Sequence, residues 1–287
     1  MSKRTITIQG IKGSFHHQVA QEYFGRNNNF HECLSFDSLI SSVLNGESDT
    51  AVMAIGNSIA GTILPNYGLI DSNDLHIVGE HYINISMNLM ALEGQSIEDI
   101  TEVASHPIAL LQCKDFFQKY PHIKLVEDND TADVARRISE QNIKNLGAIA
   151  SPIASELYNL NVVANDIHTV KMNQTRFLIL GKEPNSVEDK EDKTKGLLRA
   201  SQLNKASLKL TVGHHQGALA SALNVLSDCQ LNLTKIQSVP IIEQPWSFYM
   251  FVEVTFDSVE NYKKAIDVLN VMIEDVKVLG IYKNGLE

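Results

Sequence analysis

Short apolar runs alternate with amphipathic stretches through the first 181 residues. Residues 14–24 place Phe15, Val19 and Tyr23 on one face of a helix, between apolar runs that are typical of strands. In chain order the predicted elements are strand 4–9, helix 14–24, strand 31–36, helix 37–46, strand 50–55, a β-rich run 75–92, strand 102–106, helix 107–120, strand 124–127, helix 131–141, strand 147–151, helix 152–158 and strand 177–180. This alternation predicts an α/β body of two lobes, each an open sheet, with a cleft between them.

The same pattern suggests where domains begin and end. We expect one lobe to contain about 1–75 with 170–181, and the other about 76–169. A charged segment poor in large apolar residues then predicts a linker over 182–206. Residues 207–287 show the plan of a ferredoxin-like βαββαβ domain. A domain this small gains stability by pairing with a copy of itself, so we expect a homodimer or homotetramer.

Composition limits the partners. The net charge of -10 over 287 residues argues against nucleic acid or an anionic membrane, but not against a small anionic ligand. Residues 1–10 lack a secretory leader pattern and no later apolar run could span a bilayer, so we expect a cytoplasmic protein. The three isolated cysteines predict free thiols. Histidine doublets at 16–17 and 214–215 are poor metal clamps because neighbouring side chains diverge, and we expect no metal site.

Small hydroxyl and amide residues stand where several predicted helices follow a strand. They are Ser14, Asn57 with Ser58, Ser105 before His106 and Pro107, Asp130 with Thr131, and Ser151 before Pro152. Such residues are good N-caps, and helix N-termini at the carboxyl ends of strands hold anions in open α/β sheets. Thr175 and Arg176 either mark the surface start of strand 177–180 or meet a small polyanion held by these caps. No dinucleotide motif, P-loop, nucleophile elbow or HExxH is present, so we expect no cofactor.

Six stretches occur in this order along the chain: IQGIKGSFHHQVA, GNSIAG, SHPIALLQC, DTADVA, GAIASPIASELYNLNVV and NQTRFLIL. Their order and spacing resemble those of the prephenate dehydratase family. A later stretch, GALASALNVLSDCQLNLTKIQSVP, resembles the regulatory ACT domain attached to that enzyme. The resemblance covers about residues 4–284. It implies a periplasmic-binding-protein-like catalytic domain over 1–181 and an ACT domain over 207–287.

The resemblance also implies an activity. The enzyme would remove water and carbon dioxide from prephenate to give phenylpyruvate, in phenylalanine biosynthesis. Because aromatisation drives this reaction, the protein needs only to position the dianion, desolvate the leaving carboxylate and assist the departing hydroxyl. Thr175 matches the family's catalytic threonine and would donate to that hydroxyl. The implied substrate-binding residues are Arg176, as a carboxylate clamp or a wall of the cleft, Phe177, Asn57, Ser58, Ser105, His106, Gln112 and Ser14.

Two of these residues are predicted to lie on the same side of a helix. Gln112 follows Ser105 by seven residues, which is two helical turns.

Two alternatives to prephenate dehydratase stay open. Arogenate dehydratase performs the same elimination on the amino-acid form, and a non-catalytic sensor or binding protein would hold a small anion without reaction.

The C-terminal motifs concern regulation. Gly217, Ala218 and Leu219 match the ACT loop that approaches a bound amino acid, although a helix N-terminus would equally need a small residue. The implied effector is phenylalanine, with Gln237 and Ser238 as further contacts.

The chain departs from the family at two places. Gly56 stands where the family usually has Glu before Asn-Ser, and we expect activity to be retained. At 237–240, QSVP replaces the usual Glu-Ser-Arg-Pro, and we expect weaker inhibition by phenylalanine.

Overall fold

The computed structural model of the protein describes residues 3–185, 200–241 and 247–286. Its strands are β1 Thr5–Gln9, β2 Asn29–Cys33, β3 Thr50–Asn57, β4 Gly61–Thr62, β5 His76–Asn84, β6 Asn88–Ala91, β7 Glu102–Ser105, β8 Lys124–Glu127, β9 Leu146–Ala150, β10 Asn161–Ala164, β11 Gln174–Gly181, β12 Lys205–Thr211, β13 Asn232–Pro240, β14 Phe248–Thr255 and β15 Asp275–Tyr282. Its helices are α1 Phe15–Phe24, α2 Phe36–Leu44, α3 Leu64–Ser72, α4 Pro107–Gln112, α5 Lys114–Phe117, α6 Thr131–Gln141, α7 Pro152–Tyr158, α8 Ala218–Asp228 and α9 Val259–Met272. No described helix is both long and apolar enough for a membrane crossing.

The chain divides into two compact units. Unit 1 is Met1–Asn66 with Tyr82–Phe177, and unit 2 is Tyr67–His81 with Leu178–Glu287. This division does not coincide with the domains predicted from the sequence, because residues 67–81 group with the C-terminal part of the chain. Most of the predicted linker, residues 186–199, lies outside the described residues.

Two mixed sheets contain strands β1 to β11. The first has the order β2-β1-β3-β11-β5, with β4 paired to β3, and the second has the order β10-β6-β9-β7-β8. Strand β1 runs parallel to β2 and β3, and β7 runs parallel to β8 and β9. Parallel neighbours bring several carboxyl ends to one edge of a sheet, followed by the N-termini of α1 and α6. An apolar cluster that includes Val134, Ile138 and Ala148 anchors α6 on the second sheet.

Unit 2 contains a four-stranded sheet of order β13-β14-β12-β15 with α8 and α9. The chain order β12-α8-β13-β14-α9-β15 is the ferredoxin-like βαββαβ plan. Its core packs Leu226 of α8 and Leu269 of α9 against Leu208 and Val252 of the sheet. Strand β13 is an edge strand of this sheet.

Three predictions about local structure were wrong. Helix 107–120 is two helices, because the carbonyl of Gln112 accepts from the backbone N–H of Thr169 at 2.8 Å and Cys113 leaves helical geometry. The strand predicted over 31–36 lies at Asn29–Cys33. No helix begins at Asn57; its side-chain oxygen instead accepts from the N–H groups of Ile59 and Ala60 in the β3–β4 turn, both at 2.9 Å.

Candidate active site

A pocket of about 270 Å³ lies within unit 1, between strands β1, β3 and β11 of the first sheet and the segments that follow β7 and β8 of the second. It is lined by Gln9, Ser14, Phe15, His16, Ala54, Ile85, His106, Asn129, Asp130, Thr131, Thr175 and Phe177. The lining contains four of the predicted catalytic and substrate-binding residues, Thr175, Phe177, His106 and Ser14. It also contains Asp130 and Thr131, which were predicted as helix caps. None of the described residues in this lining is Lys or Arg.

The Thr175 side chain is held by an amide from a neighbouring strand. Thr175 is 9% exposed, and its Oγ1 accepts a hydrogen bond from Asn57 Nδ2 at 2.8 Å. Asn57 Oδ1 accepts hydrogen bonds from two backbone N–H groups. The other end of the amide, Nδ2, is therefore the donor to Thr175. Because Thr175 Oγ1 accepts in this bond, the proton of its hydroxyl is left for another acceptor.

A chain of amides extends from Thr175 away from the pocket. Asn57 Nδ2 also donates to Asn173 Oδ1 at 2.7 Å, and Asn173 Nδ2 donates to Gln112 Oε1 at 3.0 Å. Predicted residues Asn57 and Gln112 thus support Thr175 from behind the pocket. Asn173 was not predicted, although it is 1% exposed and joins the other two amides.

Ser58 ties the ends of two strands together. Its N–H donates to the carbonyl of Gln174 at 2.8 Å, and its Oγ accepts from the N–H of Gln174 at 2.9 Å. Ser58 therefore fixes the backbone directly before Thr175, and it is not among the residues that line the pocket.

Ser105 lies at the end of β7 rather than on a helix. Its Oγ donates to the carbonyl of Ile149 at 2.7 Å, and the residue is fully buried. The N-cap of α4 is His106, whose Nδ1 accepts from the N–H of Ile108. The expectation that Ser105 and Gln112 share one face of a helix is therefore wrong, because the helix begins after Ser105.

Arg176 occupies the opposite face of β11 from its neighbours. Successive residues of a strand point to opposite faces, and Thr175 and Phe177 both line the pocket. The guanidinium of Arg176 instead lies 5.8 Å from the centre of the Tyr82 ring. This placement does not bring Arg176 to the pocket as a carboxylate clamp.

Two helices of unit 1 begin at the pocket wall. Ser14 caps α1 by accepting from the N–H of His17, and Asp130 caps α6 by accepting from the N–H groups of Ala132 and Asp133. The positive ends of both helix dipoles therefore lie beside the pocket. Burial raises the pKa of Asp130 above its usual range, although those backbone donors oppose the shift.

The effector residues predicted from the sequence lie in unit 2. Gly217 is the N-cap of α8 with a φ of 84°, a conformation that favours glycine. Ala218 and Leu219 form the first turn of α8, and Gln237 and Ser238 lie on β13. The helix-start explanation of Gly217 is thus sufficient by itself.

The sequence is similar to a known family and to characterised relatives over most of its length. The sequence profile of the family described as prephenate dehydratase matches residues 6–185. A bifunctional chorismate mutase/prephenate dehydratase of Buchnera aphidicola is 32% identical over 97% of this chain and 70% of its own length. An arogenate dehydratase/prephenate dehydratase 2 of Arabidopsis thaliana is 35% identical over 85% of this chain and 61% of its own length.

The fold agrees with these sequence relationships. The structure of a prephenate dehydratase from Arthrobacter aurescens, in complex with L-Phe, superposes with a TM-score of 0.83 at 22% identity, covering 98% of this chain and 90% of that one. The family match over residues 6–185 and the relative at 32% identity show that the chain belongs to the prephenate dehydratase family.

Proposed function

We propose that this protein converts prephenate to phenylpyruvate in the unit 1 pocket, with Thr175 as the catalytic residue. The observation that carries the assignment of the site is the Asn57–Thr175 hydrogen bond. It makes the Thr175 oxygen an acceptor towards Asn57 and thereby directs its proton elsewhere, on a residue that lines the pocket.

The reaction balances with one proton taken from solvent. The bond between the ring and the leaving carboxylate breaks, and its electron pair enters the ring as carbon dioxide departs. The ring C–O bond breaks at the far side, and hydroxide leaves with a proton as water. Thr175 donates its hydrogen bond to that oxygen, and solvent supplies the proton through it. A neutral threonine is too weak an acid to give up its proton outright, so a relay fits its chemistry.

Neutral donors hold the dianion in this proposal. The N-termini of α1 and α6 offer backbone N–H groups and the positive ends of two dipoles. The ring of Phe177 keeps that wall apolar, which favours loss of charge from the leaving carboxylate. Arg176, on the other face of β11, positions the strand through Tyr82 rather than binding substrate.

The test is direct. Purified protein mixed with prephenate should produce phenylpyruvate, measured by its ultraviolet absorbance in alkali. A protein that binds prephenate by calorimetry without forming product would instead be a non-catalytic sensor.

One feature of the pocket favours arogenate as a second substrate. Arogenate carries an ammonium group where prephenate has a keto oxygen, and Asp130 contributes a carboxyl group to the lining. An ionised Asp130 would attract that ammonium and repel a prephenate carboxylate. Asp130→Asn keeps an N-cap residue and removes the charge, so it should shift the ratio of kcat/KM towards prephenate.

Regulation is proposed to reside in the βαββαβ part of unit 2, acting as an ACT domain that binds phenylalanine. The family resemblance around Gly217 and the edge position of β13 support this proposal. Leu233 and Ile236 on β13 and Phe248 on β14 are 37%, 42% and 39% exposed, so a second copy could cover them. We place the pairing of two chains at this edge, giving a homodimer or a homotetramer.

Calorimetry with phenylalanine, together with activity measured against its concentration, tests the regulatory proposal. We expect binding with inhibition weaker than in the family, because QSVP lacks the Glu and Arg of the usual motif. Near-complete inhibition at micromolar phenylalanine would show that the altered motif does not matter. Absence of binding at millimolar concentrations would show that this part of the chain is purely structural.

A further inference from the structure

His16 lies in the first turn of α1, directly after the N-cap Ser14 and Phe15. It is 8% exposed and lines the same pocket as Thr175 and Phe177. The sequence draws attention to it only as one half of a histidine doublet. Its surroundings define which ring nitrogen carries the proton.

The backbone N–H of Ala54, on β3, donates to Nε2 of His16 at 3.3 Å. An imidazole nitrogen that accepts a hydrogen bond carries no proton, so the neutral ring carries its proton on Nδ1. Within the described part of the chain, no group accepts from this Nδ1–H. Nδ1 is not one of the fully enclosed polar atoms without a partner, so this atom keeps some accessible surface.

Aromatic neighbours hold the ring in place. Phe177 meets it edge-on, with ring centres 4.9 Å apart and planes at 89°, and Phe36 lies on another side at 5.8 Å. Both contacts and the Ala54 bond restrict rotation of the imidazole. The donor is therefore prearranged before any ligand enters.

The ring is also uncharged. Burial lowers the pKa of His16 to about 3, so the imidazole is neutral at physiological pH. The other titratable groups in the lining are His106 and Asp130. In a wall without Lys or Arg among the described residues, an N–H donor on a rigid ring is a substantial part of what an anion can bind.

We propose that His16 is a substrate-binding residue whose Nδ1–H donates to an oxygen of the substrate in the Thr175 pocket. This inference rests on the proposed function, since it names a contact of the same site. Because the hydrogen bond places the substrate beside Thr175, its loss affects kcat/KM.

Two amide substitutions separate this role from a structural one. The amide of Asn reaches the position of Nδ1, so His16→Asn keeps the pocket donor and loses the acceptor for the N–H of Ala54. The amide of Gln reaches the position of Nε2, so His16→Gln keeps that acceptor and loses the pocket donor. We expect kcat/KM for prephenate to fall about 10²-fold in His16→Gln and at most about tenfold in His16→Asn. Activity of the wild-type protein on prephenate tests the proposed function separately.

The reverse order of the two variants, or wild-type activity in both, would overturn the proposal. If both variants lose activity equally, nitrogen NMR of wild-type protein labelled in histidine decides. The expected result is a His16 ring protonated on Nδ1, with that signal moving when phenylpyruvate is added to saturation. A ring protonated on Nε2, or a His16 signal that does not respond, would contradict the assignment.

Discussion

Thr175→Val is the sharpest test of the active site, because it removes one hydroxyl and leaves a side chain of nearly the same shape. Among the residues that the structure describes, Oγ1 of Thr175 makes one hydrogen bond, which it accepts from Asn57 Nδ2 at 2.8 Å. The variant therefore removes two things: the proton offered to the pocket, and the acceptor for one N–H of Asn57. The two losses act on different measurable quantities.

The expected loss in kcat comes from removing the Thr175 hydroxyl as a hydrogen-bond donor. Removing one well-placed donor to a developing negative oxygen costs about 2.7–4 kcal/mol in transition-state stabilisation, or roughly 10²–10³ in kcat. The expected loss in unfolding free energy comes from the Asn57 amide, which loses an acceptor. A buried N–H left without an acceptor costs about 1–3 kcal/mol of unfolding free energy, while the second N–H of Asn57 keeps Asn173 as its partner.

The assay compares Thr175→Val with Thr175→Ser, which keeps the hydroxyl and loses only a methyl group. We expect the valine variant to lose at least 10²-fold in kcat while binding prephenate with a similar affinity. The serine variant should stay within about tenfold of wild type. A valine variant with near wild-type kcat would refute the role of Thr175. Equal losses in both variants would assign the effect to packing.

Three further changes follow from the structure. Gly56→Glu would place Cβ 3.3 Å from the carbonyl oxygen of Gly61, so we expect a loss of about 1 kcal/mol in unfolding free energy and no gain in kcat; a hundredfold increase in kcat would show that Gly56 impairs the enzyme. Lys205→Met removes an ammonium 3.0 Å from Glu80 in a buried setting and should cost about 3–5 kcal/mol in denaturant unfolding. Its control, Lys209→Met, should cost about 1 kcal/mol, because Asp71 keeps an ion pair with Lys277 at 3.1 Å. The lowered pKa of His16 means that the unfolded chain gains a proton below about pH 6.5 and the folded chain only near pH 3, so stability falls with acidification by about 1.4 kcal/mol per pH unit in that window. His16→Gln should flatten the acid dependence by that amount, and an unchanged slope would show that the buried ring is already charged.

Local sequence patterns predicted some elements well because the cause of those elements is local. Helix α6 has the predicted limits 131–141: Asp130 supplies the cap, and Val134 and Ile138 supply one apolar face. Helix α3 was missed because Pro65 and Gly68 interrupt its pattern, yet burial of Tyr67 holds it in place. The break at Cys113 was equally hidden, since it depends on a hydrogen bond from Thr169, which is distant in sequence.

The site was predicted in the same uneven way. The caps Ser14 and Asp130 follow from residue type and position beside an element boundary, whereas the role of Thr175 was predicted from the family resemblance. Asn173 could not be predicted as a partner of Gln112, because only the folded chain brings those amides together. The face of β11 on which the Arg176 side chain lies could have been predicted from the sequence. If Thr175 and Phe177 face a pocket, strand alternation turns the residue between them away.

The direction of Arg176 changes how the pocket holds a dianion. A guanidinium would bind the leaving carboxylate most strongly before decarboxylation, because the charge of that group disappears as carbon dioxide forms. Such a contact lowers the energy of the ground state more than that of the transition state, and therefore slows the chemical step. Helix N-termini and the uncharged donors on Thr175 and His16 avoid this penalty, because they bind oxygen without adding a full positive charge. A lining without Lys or Arg among its described residues is thus consistent with a site that must first accept a carboxylate and then favour its loss.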